Sequence, residues 1–401
     1  YLALCTANLE EPTIGPNSDT QADEQFQTIA YRGNGGTINI PNATSEPTTP
    51  SSMSFSPDWT WYKCRSGGNN RWHYLFDTSR GEGKALYSNL TYYENQESVI
   101  NAQTFETNGT RIVRSSGDHL NNDDDTYVAW NWKAGGAPTV DNDAGANAVP
   151  KAGSAKIDGS NATASFAGTT PITRLSANTT AGFSIVTYTG NGSTSSGVTI
   201  NHGLGKTPVW IITKKRNDVG TDYGWSTWHK DLGGDYGVWL DKANARNGSM
   251  WAGYSNFNNT VFAPADKDYN NVNTATYVSY VFAEVEGYSK FGSYPGNAAS
   301  TTPFDGTFVY LGFRPAWLML KRTDTSGQWR IYDTVRSPIN YMDELLSADS
   351  EAVEAEGSTS RLDFLSNGFK LRGSASGTNK SGGTYIYMAF AEAPFKYANA
   401  R

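Results

Sequence analysis

An all-β protein, built as three tandem antiparallel β-sandwich-like repeats, is what the sequence predicts. Two observations carry this: the composition and a threefold recurrence of motifs. Charged residues are only 18% of the 401, while aromatics reach 13%, with 12 Trp, 23 Tyr and 17 Phe beside 41 Gly. Ring-bearing side chains suit pleated surfaces and Gly supplies turns. A helical bundle would instead be rich in Ala, Leu, Glu and Lys. The recurrence begins with the Pro-x-Trp triplets Pro57-Asp58-Trp59, Pro208-Val209-Trp210 and Pro315-Ala316-Trp317. Six residues after each Pro stands a Lys: Lys63, Lys214 and Lys321. A Gly-Asn turn precedes each triplet, at Gly33-Asn34, Gly190-Asn191 and Gly296-Asn297. A Thr-Tyr segment follows it, beginning at Thr126, Thr276 and Thr384. From Pro to that Tyr the separations are 70, 69 and 70 residues.

The elements follow in chain order. Residues 1–20 are expected to be the end of an upstream domain or a linker, because the chain opens on Tyr rather than Met. Repeat one spans 21–133, repeat two 181–290 and repeat three 291–401. In the Thr-Tyr strand one face reads Val128, Trp130, Trp132, then Val278, Tyr280, Phe282, then Ile386, Met388, Phe390. A large apolar residue at every second position marks a core-facing strand. The Pro-x-Trp strands are apolar on both faces, and the following Lys and Arg are expected to return the chain to solvent. Asp77 and Arg80, like Asp333 and Arg336, stand three apart at a turn and are expected to form buried structural ion pairs. Residues 134–180, rich in Gly, Ala, Ser, Thr and Asn, read as a linker with a small hairpin near Ile157–Ser160. Residues 343–356 are the best candidate for a short helix.

Several chemistries are excluded or unsupported. Net charge is −7, which lacks the footprint of a nucleic-acid binder. No run approaches 18 apolar residues, so no membrane insertion is expected. Cys5 and Cys64 read as free thiols. The four histidines, His73, His119, His202 and His229, form no metal motif and none recurs in all three repeats. Gly203-Leu204-Gly205-Lys206-Thr207 imitates a phosphate loop, but Ile200 stands where its first Gly belongs. Asn121 to Asp125 reads as a polar turn rather than a calcium loop, because the turns matched to it, at Asn271–Asn273 and Ser381–Gly383, lack its carboxylates. No catalytic residue, metal site or cofactor is therefore assigned. Trp72, Trp225, Trp228 and Trp329, in less regular segments, are candidate carbohydrate platforms. Binding specificity is expected in loops 35–56, 217–236 and 336–360.

Five strings carry a resemblance: residues 181–192 (AGFSIVTYTGNG), 282–294 (FAEVEGYSKFGSY), 311–317 (LGFRPAW), 364–372 (FLSNGFKLR) and 383–398 (GTYIYMAFAEAPFKYA). They resemble a modular family of tail-fibre-like and virion structural proteins of tailed bacteriophages, particularly those of marine and cyanobacterial hosts. Residues 2–9 are similar to the exit of a SPRY- or lectin-like sandwich that precedes such modules. The resemblance implies a virion location, a homotrimer, other virion proteins as partners and host surface glycans as ligands. A trimer is also expected because the aromatics exceed what three small cores need. Two alternatives stand beside the tail fibre: a capsid decoration or head fibre protein, and a polysaccharide-degrading tailspike enzyme. The enzyme would need a carboxylate pair in one cleft, for which Asp118, Asp222 and Asp235 are the only suggestions.

Overall fold

The computed structural model describes residues 13–15, 18–41, 52–67, 71–94, 103–113, 119–193, 197–219, 224–251, 254–264, 269–298 and 305–393. Cys5, Asp118 and Asp222 lie outside the described residues, as do residues 42–51 of loop 35–56. Within the described residues the protein is all-β with several antiparallel sheets, and helix is confined to short 3-10 turns.

The first unit holds β1 (Phe26–Arg32), β2 (Thr37–Ile40), β3 (Trp59–Cys64), β4 (His73–Asp77), β5 (Gln103–Glu106), β6 (Gly109–Val113) and β7 (Thr126–Trp132). Then come β8 (Ala155–Ile157), β9 (Ser160–Asn161) and β10 (Ile172–Asn178). The second unit holds β11 (Phe183–Thr189), β12 (Ile200–Asn201), β13 (Trp210–Lys215), β14 (Ser226–His229), β15 (Val238–Trp239), β16 (Val261–Phe262) and β17 (Thr276–Phe282). The third holds β18 (Ser289–Pro295), β19 (Phe308–Tyr310), β20 (Pro315–Arg322), β21 (Arg330–Asp333), β22 (Glu344–Leu345), β23 (Ala355–Glu356), β24 (Leu362–Leu365), β25 (Gly368–Leu371) and β26 (Thr384–Ala391).

Each unit contains a sheet of one order: β1-β7-β3-β4, β11-β17-β13-β14 and β18-β26-β20-β21. The registers agree as well. Trp59 lies opposite Trp132 and Asp77, Trp210 opposite Phe282 and His229, and Trp317 opposite Phe390 and Asp333. The Gly-Asn turns have a steric cause. A Cβ on Gly33, Gly190 or Gly296 would meet a backbone carbonyl oxygen at 1.9, 2.2 or 2.3 Å, which no side chain tolerates. The adjoining Asn forms a reciprocal clasp: Asn34 with Asn121, Asn191 with Asn271, and Asn297 with Asn379. The third clasp uses Asn379, two residues before the Ser381 of the expected turn; like Asn121 and Asn271, it stands six residues before the Tyr of its Thr-Tyr strand.

The Pro-x-Trp face of each sheet points to one shared centre. Trp59 stacks on Tyr280 with ring centroids 4.4 Å apart, Trp132 meets Trp317 at 5.6 Å, and Phe282 meets Phe390 at 6.1 Å. The units are therefore not beads with private inner cores; a single apolar cluster runs through all three. On the opposite faces, the β2-β6-β5 sheet covers the first unit, and β12 with β16 covers the second over Ile211 and Trp251. The β19-β25-β24 sheet belongs to the third.

Three expectations change. Residues 134–180 are not a free linker: β10 pairs with β11, and β8 with β10, extending the second sheet to eight strands. Small residues cannot make a core alone, but Ala155, Ile172, Leu175 and Ala177 join the one already there. The hairpin near Ile157 is present as β8–β9. Residues 343–356 form no helix: β22 and β23 pair with each other inside the window, and Leu346 bridges Ile331 of β21, so tertiary pairing overrides local propensity. Lys63, Lys214 and Lys321 do not reach solvent; all three are fully buried.

Candidate functional site

The buried lysines mark the seams between units. Lys63 donates to the Glu351 carbonyl, Lys214 to that of Thr91 and Lys321 to that of Ala243. The first unit thus reaches the third, the second reaches the first, and the third reaches the second, closing a ring. A second ring runs parallel. Trp225 Nε1 donates to the Tyr87 carbonyl at 2.7 Å, Trp329 Nε1 to that of Trp239 at 2.9 Å, and His73 Nε2 to that of Ser347 at 3.0 Å. Trp61 Nε1 donates to His73 Nδ1 at 2.8 Å, which places the His73 proton on Nε2. Register aligns His73, not Trp72, with Trp225 and Trp329. A third set of backbone bonds joins the Glu94, Arg246 and Glu354 amides to the Arg216, Thr323 and Arg65 carbonyls.

These seams decide the fate of the candidate sugar platforms. Trp225 and Trp329 are 0% exposed and Trp228 is 5% exposed, packed on Phe257 with centroids 4.7 Å apart. A ring with no open face cannot stack on a sugar, so these three are core residues. Trp72 is half-buried and lies edge-on to Tyr87 and Tyr92. In loop 336–360, Ser347, Glu351 and Glu354 are taken up by the seams, while Ile339 and Tyr341 stay exposed.

Two seams hold buried charge. Asp77 and Arg80 pair with both side chains 0% exposed, and Glu94 bridges Arg80 to Arg216 across the seam. Asp333 and Arg336 repeat this, with Glu354 bridging to Arg65. Burial works against the Arg80 charge, but Asp77 beside it outweighs this and holds the guanidinium protonated. Tyr280 donates to Asp77 from the second unit, and Trp130 to Asp333 from the first. In the second unit His229 takes the Asp position, and the residue equivalent to Tyr280 and Trp130 is Met388, which offers no such donor. Burial pushes Lys63 and Lys321 down to about 8 and the caged Asp58 carboxyl up to about 6.

His229 yields a pH prediction. Its Nδ1 accepts the Asp231 amide, and its buried Nε2 has no hydrogen-bond partner among the described residues. Burial, then Lys230, pushes it down to about 3. A lowered histidine pKa contributes stability that is full above about pH 6.5 and is progressively lost as pH falls from there toward about 3. Asp58 acts oppositely, stabilising as pH falls through about 6, but this cancels between a variant and its parent. Between pH 7 and 5, urea unfolding should show His229→Phe losing about 2 kcal/mol less stability than the parent. Equal losses would refute the neutral, buried state of His229.

One surface feature combines the start of the expected loop 336–360 with residues outside every expected loop. Phe308, Tyr310, Ile339 and Tyr341 are exposed large hydrophobics, Tyr310 by 65%. Phe308 and Tyr310 stand on the outer face of the β19-β25-β24 sheet, with Gly368, Lys370 and Asp363 beside them. Residues 340–342 border β24, where Met342 pairs with Leu362 and the Asn340 side chain bonds the Phe364 backbone. The Arg361 guanidinium lies over Tyr341 at 5.5 Å. Alternation in β19 could suggest this face, but nothing local tells an outer sheet from a covered one. Elsewhere, Asp235 lies in a turn and accepts the Ser249 amide, and no cluster of acids, His or Cys able to hold a metal occurs among the described residues.

The fold and seams define an all-β protein whose three like-ordered sheets close around one aromatic centre. The chain belongs to the family described as a domain of unknown function, DUF7483, which matches residues 21–170 and 152–394. No curated protein matches it.

Proposed function

We propose that this chain is a bacteriophage virion structural protein, a component of a tail fibre or appendage, which presents binding surfaces and performs no chemistry of its own. The observation that carries the scaffold reading is the use of its buried polar groups. Asp77, Arg80, Asp333, Arg336, Lys63, Lys214 and Lys321 are all engaged in or across seams between units. Groups so engaged stiffen a fold, and these seven are held by structural partners rather than presented to a substrate. The phage assignment is supported by the resemblance of the five strings above. The homotrimer now rests on that resemblance alone, because the surplus aromatics are absorbed inside one chain. Immunogold labelling of purified phage particles with antibody against this chain is the test. Label on tail appendages is expected; label on the head, or none, would overturn the assignment.

A further inference from the structure

We propose that the outer face of the β19-β25-β24 sheet, centred on Phe308, Tyr310 and Tyr341, binds a neutral oligosaccharide. This rests on the reading of the chain as a binding scaffold and gives that scaffold its site. The inner face of the same sheet is fully used, with Phe369, Leu371 and Leu362 each 0% exposed. The outer face instead leaves Tyr310 65%, Tyr341 46% and Phe308 42% exposed. Large rings left this open to water bury only part of their surface for the fold, and exposed apolar patches mark interaction sites.

The charges around the rings select the ligand. Lys370 pairs with Asp305, Arg372 with Asp363 at 2.6 Å, and Arg361 with Asp343 at 3.7 Å. Three cations meet three carboxylates, so the patch is locally neutral. An anionic ligand would have to displace a carboxylate and a cationic one an Arg or Lys. A neutral, hydroxyl-rich ligand needs neither. Its C–H faces stack on the rings, while its hydroxyls take the donor and acceptor positions that the ion pairs leave over. Gly368 keeps the surface low between the rings, since a Cβ there would lie 3.2 Å from the Phe308 ring.

The test measures binding of the full chain to an array of neutral hexasaccharides of glucose, mannose, galactose and N-acetylglucosamine, with dextran sulfate as the anionic arm. At least one neutral probe should bind. Phe308→Ala with Tyr310→Ala should weaken that binding at least tenfold while the melting temperature stays unchanged. Binding to no neutral probe, to dextran sulfate alone, or with undiminished affinity in the double variant would overturn the proposal. So would a concentration-dependent dimer that the double variant abolishes, since the face would then seat a second copy. Labelled appendages without glycan binding would overturn this inference alone. Glycan binding without label on any particle would overturn the virion reading and leave the site standing.

Discussion

Trp225→Ala is expected to destabilise the protein by about 3–5 kcal/mol, the range for emptying a large buried site. The ring is fully buried, and its N–H reaches the Tyr87 carbonyl in the first unit. Truncation therefore opens a cavity and also removes a hydrogen bond across the seam, leaving the Tyr87 carbonyl with the Leu90 amide of its own unit. A domain stable by about 5–15 kcal/mol loses roughly a fifth or more of its margin from this one change. Because the contact joins two units, the loss should appear as one cooperative transition shifted to lower urea, with near-ultraviolet circular dichroism and intrinsic fluorescence moving together. A shift no larger than that of Tyr310→Ala, a surface change, would mean the Trp225 ring does not carry the seam.

Arg80→Met should cost about as much, roughly 3–5 kcal/mol, for a different reason. The Asp77 carboxylate would remain in a site with no solvent exposure and lose its only ion-pair partner among the described residues. Glu94 would keep Arg216 across the seam but lose its contact with the buried pair of its own unit. Adding Asp77→Asn should recover part of the loss, because the stranded charge is removed, and the double-mutant cycle should show strong coupling. Lys151→Met, which breaks an ion pair with both side chains largely exposed, should leave the unfolding midpoint unmoved. If Arg80→Met behaves like Lys151→Met, the charge network contributes nothing to the seam.

Much of the architecture was legible in local pattern. The alternation in 126–132, 276–282 and 384–390 located three central strands, because burial of one face imposes period two. The Gly-Asn turns were legible because only Gly fits against the facing carbonyl. Asp77–Arg80 and Asp333–Arg336 were legible because both partners lie within one turn. The platform residues were misjudged at Trp225, Trp228 and Trp329, where an irregular sequence context resembled exposure. What buries Trp225 and Trp329 is a carbonyl contributed by a different unit, at a separation of 138 and 90 residues.

The sequence by itself thus determined the strands, their turns and the local ion pairs, since each depends on residues close along the chain or on a period that burial imposes. Tertiary structure alone decided that the three sheets close around one aromatic centre, and that Lys63, Lys214 and Lys321 cap a neighbour's carbonyls rather than meet water. It also decided which aromatic rings remain open. The physical reason is common to all three. A lysine at a strand end, or a ring on an alternating strand, has the same local preferences at a surface as at a seam. Only the position of another unit, brought there by burial of the shared core, tells the two apart.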